Sequence, residues 1–177
     1  KYSDQEMSVW IAINGFCLIW RDDLSCAFEN DRTDVEIVAI NDLAPVRTNA
    51  HLLRYDSMYG KFLDDITLEK KTIDIDRGSI DVSYLRDLSE LLWGDINIVL
   101  ECTGILISKG AAAGYLKKES KLFLVSAPAT GAEKTIVFGL NQSLLTKKDR
   151  VVSNTFWTTD CLALPASVTC SNISIKK

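Results

Sequence analysis

The sequence predicts an α/β fold: a doubly wound, mostly parallel sheet with a small antiparallel insertion. Three observations predict it. Short apolar runs of strand length alternate with stretches of helical periodicity. The connections are short, and several runs end in Asn, Asp, Gly or Ser, residues that suit the loops at strand ends. Between residues 62 and 83 the pattern changes to polar–apolar alternation, the mark of half-exposed antiparallel strands.

Val9–Ile13 is a buried apolar strand bounded by Asn14-Gly15. A helix over residues 19–29 follows, with Ile19, Trp20, Leu24, Ala27 and Phe28 at helical spacing. Val35–Ile40 is a second buried strand ending at Asn41-Asp42, which completes a βαβ unit. Thr48–Arg54 reads as a short helix. Ile66–Leu68, Thr72–Ile75 and Ile80–Ser83 are the alternating strands, and Leu88–Leu92 reads as another short helix. Ile96–Leu100 is a strand running into Glu101-Cys102-Thr103-Gly104, and a small-residue helix covers Lys109–Lys117. Lys121–Val125, Thr135–Phe138 and Arg150–Val152 are further strands. A last helix starts near Thr158, because Thr158 and Thr159 suit a cap and Leu162–Ala166 is apolar. Val168–Lys177 lacks an amphipathic pattern and is expected to fray.

A chain of 177 residues, 47% hydrophobic and 25% charged, is long and apolar enough for one well-packed domain and too apolar for disorder. The net charge of −4 leaves no basic footprint, which argues against nucleic acid as a partner. No apolar run approaches the ~20 residues of a membrane helix. The five cysteines are scattered, odd in number and without a CxxC pair. They predict reduced thiols in the cytoplasm, with neither a metal site nor a disulfide framework. Lys1–Glu6 is polar and no apolar core follows it, so no secretory signal is expected. Without one, the sequons at Asn141 and Asn172 carry no weight.

Two tracts bear on chemistry. The first is Asn14-Gly15-Phe16-Cys17-Leu18-Ile19-Trp20-Arg21, which follows the first strand. It sits where G-x-G-x-x-G opens a dinucleotide-binding unit, but only Gly15 of the three glycines is present. Cys17 puts a side chain where the backbone should approach a pyrophosphate, and Trp20 puts an indole where helix and strand should pack closely. Asp42, ending the second strand, stands where an acid accepts ribose hydroxyls; the plainer alternative is a solvated loop carboxylate. Thr103 and Ser126 end later strands and either line the same crevice or cap turns.

The second tract is Ser153-Asn154-Thr155-Phe156-Trp157-Thr158-Thr159-Asp160-Cys161. It resembles the active-site segment of the phosphorylating glyceraldehyde-3-phosphate dehydrogenase family, Ser-Asn-Ala-Ser-Cys-Thr-Thr-Asn-Cys. The first tract resembles that family's Asn-Gly-Phe-Gly-Arg-Ile-Gly-Arg. The segments Ala39–Leu43, Asn49–Ser57, Trp93-Gly94, Glu101–Ile105 and Val125–Ala129 extend the likeness over nearly the whole chain.

This resemblance implies a Rossmann-like NAD-binding domain over residues 7–157. It also implies an N-terminal extension over 1–6, since Met7-Ser8-Val9 looks like the family's usual start, and the opening of a catalytic domain over 158–177, the remainder of that domain being absent. It implies NAD as cofactor, contacted through Asn14, Gly15, Phe16, Ile19, Asp42, Thr103 and Ser126, with binding weakened by Cys17, Leu18 and Trp20. Ser153 and Thr158 would be remnants of the substrate-phosphate site. The family's nucleophilic cysteine falls on Trp157, whose indole has no heteroatom able to form a thiohemiacetal, so no catalytic residue is expected. Cys161 matches the family's second cysteine and is expected to serve helix packing. His51 falls in a segment remote from the chemistry. The family reaction is glycolytic, the NAD-dependent phosphorylating oxidation of glyceraldehyde 3-phosphate, and the chain is expected not to perform it. The alternative is a residual NAD-binding module or an interaction subunit. A homo-oligomer or a full-length homologue is the expected partner, with apolar surface exposed around Leu162–Val168.

Overall fold

The computed structural model describes residues 8–17, 24, 32–56, 60–62, 65–75, 78–87, 90–105, 108, 110, 112, 120–154 and 157–173, with the backbone alone at 157–160 and 171–173. The helix expected over 19–29 lies outside the described residues apart from Leu24. The one over Lys109–Lys117 does so apart from Gly110 and Ala112.

The strands are β1 (Val9–Asn14), β2 (Val35–Asn41), β3 (Tyr55–Asp56), β4 (Gly60–Lys61), β5 (Ile66–Leu68) and β6 (Thr72–Ile75). They continue with β7 (Gly78–Ser83), β8 (Ile98–Glu101), β9 (Leu122–Val125), β10 (Lys134–Ile136) and β11 (Val151–Asn154). Helix α1 spans Val46–Arg54 and helix α2 spans Trp157–Ile173. Nine strands form one sheet in the order β10-β11-β9-β8-β1-β2-β7-β6-β5, and β3 pairs with β4 separately. From β10 across to β7 all neighbours are parallel; β6 and β5 then run antiparallel and extend the same sheet. Beginning at β1, the chain builds first towards β2 and later, through β8, to the other side. This divergence leaves a crevice at the carboxyl ends of the strands.

The central strands are buried on both faces, as a parallel sheet requires. One face gathers Ile13, Leu24, Ile40, Leu53, Ile73, Ile75 and Ile80; the other gathers Ala12, Leu91, Trp93, Val99, Phe123, Val125 and Val151. Each Val, Leu, Ile or Phe among them contributes roughly 1.5–3 kcal/mol through removal from water. The pairing of β1 with β2 slips by one residue, so that Ile11 faces Ile37 while Ala12 faces Ala39. Val38 is the extra residue of a β-bulge.

Helix α1 starts two residues before its expected position because Pro45 leads it in. The Pro45 carbonyl accepts from Thr48 and Asn49 N–H at 2.8 and 3.1 Å. The helix expected at Leu88–Leu92 is not found in its described part: Glu90 closes a single 3₁₀ turn, and the chain is then extended. Leu91 and Trp93 turn inwards while Leu92 is 93% exposed, an alternation with period two. Helix α2 runs to Ile173, past the point where fraying was expected. Once a helix is nucleated each further residue adds a bond, and the Thr169 hydroxyl donates back to the Pro165 carbonyl at 2.7 Å. Pro165 lies inside this helix and supplies no N–H of its own. Leu162 is 70% and Val168 63% exposed, so α2 carries the apolar surface expected there. Cys161 is exposed too, which corrects its expected role in packing; no described element covers its side of α2. No helix among the described residues is long and apolar enough to cross a membrane.

Candidate functional site: a crevice at the sheet's switch point

Four strands, β8, β1, β2 and β7, end side by side, and backbone bonds zip their ends together. Cys102 N–H donates to the Asn14 carbonyl (2.8 Å), Gly15 N–H to Asn41 (2.8 Å), and Asp42 N–H to Ser83 (3.0 Å). Gly15 makes the turn out of β1 at φ +88°. A Cβ there would lie 2.8 Å from the Thr103 nitrogen and 3.0 Å from the Cys102 carbonyl carbon, so only glycine fits.

Beneath this turn runs a buried polar chain. Ser83 Oγ and Leu85 N–H donate to Asn41 Oδ1 at 3.0 and 2.8 Å. Asn41 Nδ2 donates to Asn14 Oδ1 and to the Leu85 carbonyl, both at 2.8 Å. Asn14 Nδ2 donates to Glu101 Oε2 at 2.6 Å. Glu101 Oε1 accepts from Thr103 N–H at 2.8 Å and from the Thr103 hydroxyl. Glu101 is only 1% exposed. Burial pushes its carboxyl above the ordinary carboxylate range, while hydrogen bonds from Thr103 and Asn14 pull it back.

Above the floor lies a crevice of about 490 Å³ lined by Asn14, Gly15, Cys17, Asn41, Asp42, Leu43, Leu85, Arg86, Cys102, Thr103 and Ile105. That volume is in the range of small-molecule sites. Asp42 shapes its rim: one carboxylate oxygen accepts Phe16 N–H at 2.9 Å and the other Ala44 N–H at 2.7 Å. A carboxylate offers about four acceptor positions, so the side chain retains capacity for a ligand.

Of the residues expected from sequence, Asn14, Gly15, Asp42 and Thr103 meet in this crevice. The Asn14 side chain, however, is spent on Asn41 and Glu101, so it supports the floor. Phe16 is buried beside the crevice and joins it through its N–H. Ser126, at the end of β9, is not among the lining residues; its N–H donates to the Glu101 carbonyl at 2.9 Å. Ile19, Leu18 and Trp20 lie outside the described residues. Trp157 and Thr158 open α2, their side chains outside the described part. His51 is exposed on α1 against the Tyr55 ring, with centroids 5.1 Å apart. Ser153 is fully buried: its hydroxyl donates to the Ala127 carbonyl at 2.7 Å and accepts Ala129 N–H at 3.3 Å. Ser153→Ala is expected to cost about 1–2 kcal/mol in denaturant unfolding; a change within about 0.5 kcal/mol, the range of neutral surface substitutions, would deny that role. Sequence reasoning missed Asn41, Glu101, Leu85 and Arg86. The available signal was position, since all four stand at or just beyond the ends of strands that flank the switch point.

A parallel sheet divided at β1, a glycine turn pressed against the neighbouring strand end and an acid closing β2 define a dinucleotide-binding domain. The profile described as "Glyceraldehyde 3-phosphate dehydrogenase, NAD binding domain" matches residues 9–109. The chain is 47% identical over 171 residues to a glyceraldehyde-3-phosphate dehydrogenase of Cereibacter sphaeroides, covering 97% of this chain and 51% of that one. It is 48% identical over 173 residues to the one of Xanthobacter flavus (97% and 52%), and 37% identical over 174 residues to the one of Priestia megaterium (97% and 51%). The chain belongs to the glyceraldehyde-3-phosphate dehydrogenase family, whose domain of this kind takes NAD as cofactor. It spans about half the length of the curated relatives it matches.

Proposed function

We propose that this chain is a catalytically silent member of the family, a nucleotide-binding domain that does not carry out the NAD-dependent phosphorylating oxidation of glyceraldehyde 3-phosphate. The observation that carries this reading is Trp157. The resemblance of the tract Ser153–Cys161 to the family's active-site segment supports it, since that likeness sets an indole against the family's thiol, and covalent aldehyde oxidation needs a nucleophile there. Cys161 stands one helical turn further along α2, roughly 6 Å by helical rise, far outside catalytic tolerance. The scattered cysteines, odd in number and without a CxxC pair, support a cytoplasmic setting. Asn14, Gly15, Phe16, Asp42 and Thr103 are the described residues proposed to form or support the nucleotide site, with Ser153 and Thr158 standing where the family's substrate-phosphate site would be.

The purified chain, supplied with glyceraldehyde 3-phosphate, NAD and inorganic phosphate, is expected to form no NADH above the buffer rate. NADH formation that disappears in Cys161→Ser would overturn the proposal. A second reading, an interaction subunit, is supported by the exposed Leu162 and Val168 of α2 and by Phe138, 81% exposed. Another copy of the chain or a full-length homologue would cover them, and light scattering across a concentration series tests the former.

A further inference from the structure

The two halves of the crevice do not fit a dinucleotide equally well. At the β2–β7 side, Asp42 presents a carboxylate with unused acceptor capacity, Leu43 and Leu85 offer apolar surface, and Arg86 brings a guanidinium. That combination suits a nucleoside: a vicinal diol for the acid, and a flat heteroaromatic base for the aliphatic wall and the guanidinium plane. At the β1 side, a pyrophosphate would need bare backbone N–H groups within about 3 Å of its oxygens. There Cys17 stands exposed and lines the crevice, a residue with a side chain where the backbone should come bare to the phosphates. The Phe16 N–H is already donated to Asp42 and the Gly15 N–H to Asn41. Arg86 is the only cation among the described lining residues, and it belongs to the nucleoside side.

We propose that this crevice selects adenosine and gains nothing from the pyrophosphate and second nucleoside of NAD, with Cys17 as the residue that blocks them. This deepens the nucleotide-binding reading above and rests on it. Cys17 sets the specificity: it occupies the backbone approach, and the ligand ends where the phosphates would begin.

Calorimetric titration of the full 177-residue chain with adenosine, 2′-deoxyadenosine and NAD tests this. Adenosine and NAD are expected to bind within about threefold of each other, and 2′-deoxyadenosine about tenfold more weakly because it lacks the hydroxyl for Asp42. In Cys17→Gly, the ratio of NAD to adenosine affinity is expected to rise about tenfold. NAD binding tenfold or more tighter than adenosine in the unaltered chain would overturn the proposal, as would no adenosine binding at about 10 mM. Equal binding of adenosine and 2′-deoxyadenosine would overturn the role of Asp42, and an unchanged ratio in Cys17→Gly the role of Cys17. The failure of catalytic silence would be read separately, in NADH formation, which none of these titrations measures.

Discussion

Glu101→Ala is expected to destabilise the domain by about 3–5 kcal/mol, the cost of leaving partners of a buried charged group unpaired. The substitution strips Asn14 Nδ2, the Thr103 N–H and the Thr103 hydroxyl of their acceptor at once, with little water at hand to replace it. The gentler Glu101→Gln keeps the shape and removes the titration. Because burial raises the carboxyl's folded value above its unfolded one, the folded state binds more protons between the two. Its stability contribution is therefore fullest below the ordinary carboxylate value and is lost as pH rises through the folded value. Subtracting the stability–pH curve of Glu101→Gln from that of the parent isolates this group from the other carboxylates. The difference is expected to fall with rising pH across that window. A flat or rising difference would mean that the carboxyl is not held as described.

Gly15→Ala is expected to cost about 2–4 kcal/mol, combining strain at positive φ with overpacking. The new methyl would meet backbone atoms, the Thr103 nitrogen at 2.8 Å and the Cys102 carbonyl carbon at 3.0 Å. Neither can rotate away, so the ends of β1 and β8 would have to part. Gly60 provides the control. It has the same φ of +88°, but a Cβ there meets nothing within 4 Å. Gly60→Ala therefore reports conformational strain alone, about 1 kcal/mol. Urea midpoints of the two variants give the comparison. Equal losses at both sites would show that the close approach at Gly15 adds nothing.

The strands were legible because β-branched runs between turn residues admit few other readings. Their observed limits differ from the expected ones by a residue or two, as at β8, where pairing begins at Ile98. The apolar run Leu88–Leu92 was misread because a short run fits helix and strand alike, and only the burial of Leu91 and Trp93 around exposed Leu92 decides for extended chain. Asp42 and Gly15 were legible from the spacing of the dinucleotide fingerprint. The floor was not. Asn14 meets Glu101 across 87 positions and Asn41 across 27, and no local pattern announces partners so distant. For the same reason the Asn14 amide's bonds to its neighbours and the Ser153 hydroxyl's tie between β11 and the loop after β9 could not be read in advance.

The bulge at Val38 carries a consequence for how the chain tolerates change. Val38 and Ala39 both pack on the Phe123 side of the sheet, while Ile37 and Ile40 pack on the Ile13 side. The extra residue lets Asn41 draw level with Asn14, and so places Asp42 at the rim. If the same strand paired without the bulge, Ile40 would sit opposite Asn14 and the alternation beyond Ile37 would reverse. The strand acts as a ruler: the site depends on where the extra residue sits as much as on what the residues are. Substitutions along β2 can be absorbed one at a time, whereas pairing that closed over Val38 would carry Asp42 off the rim.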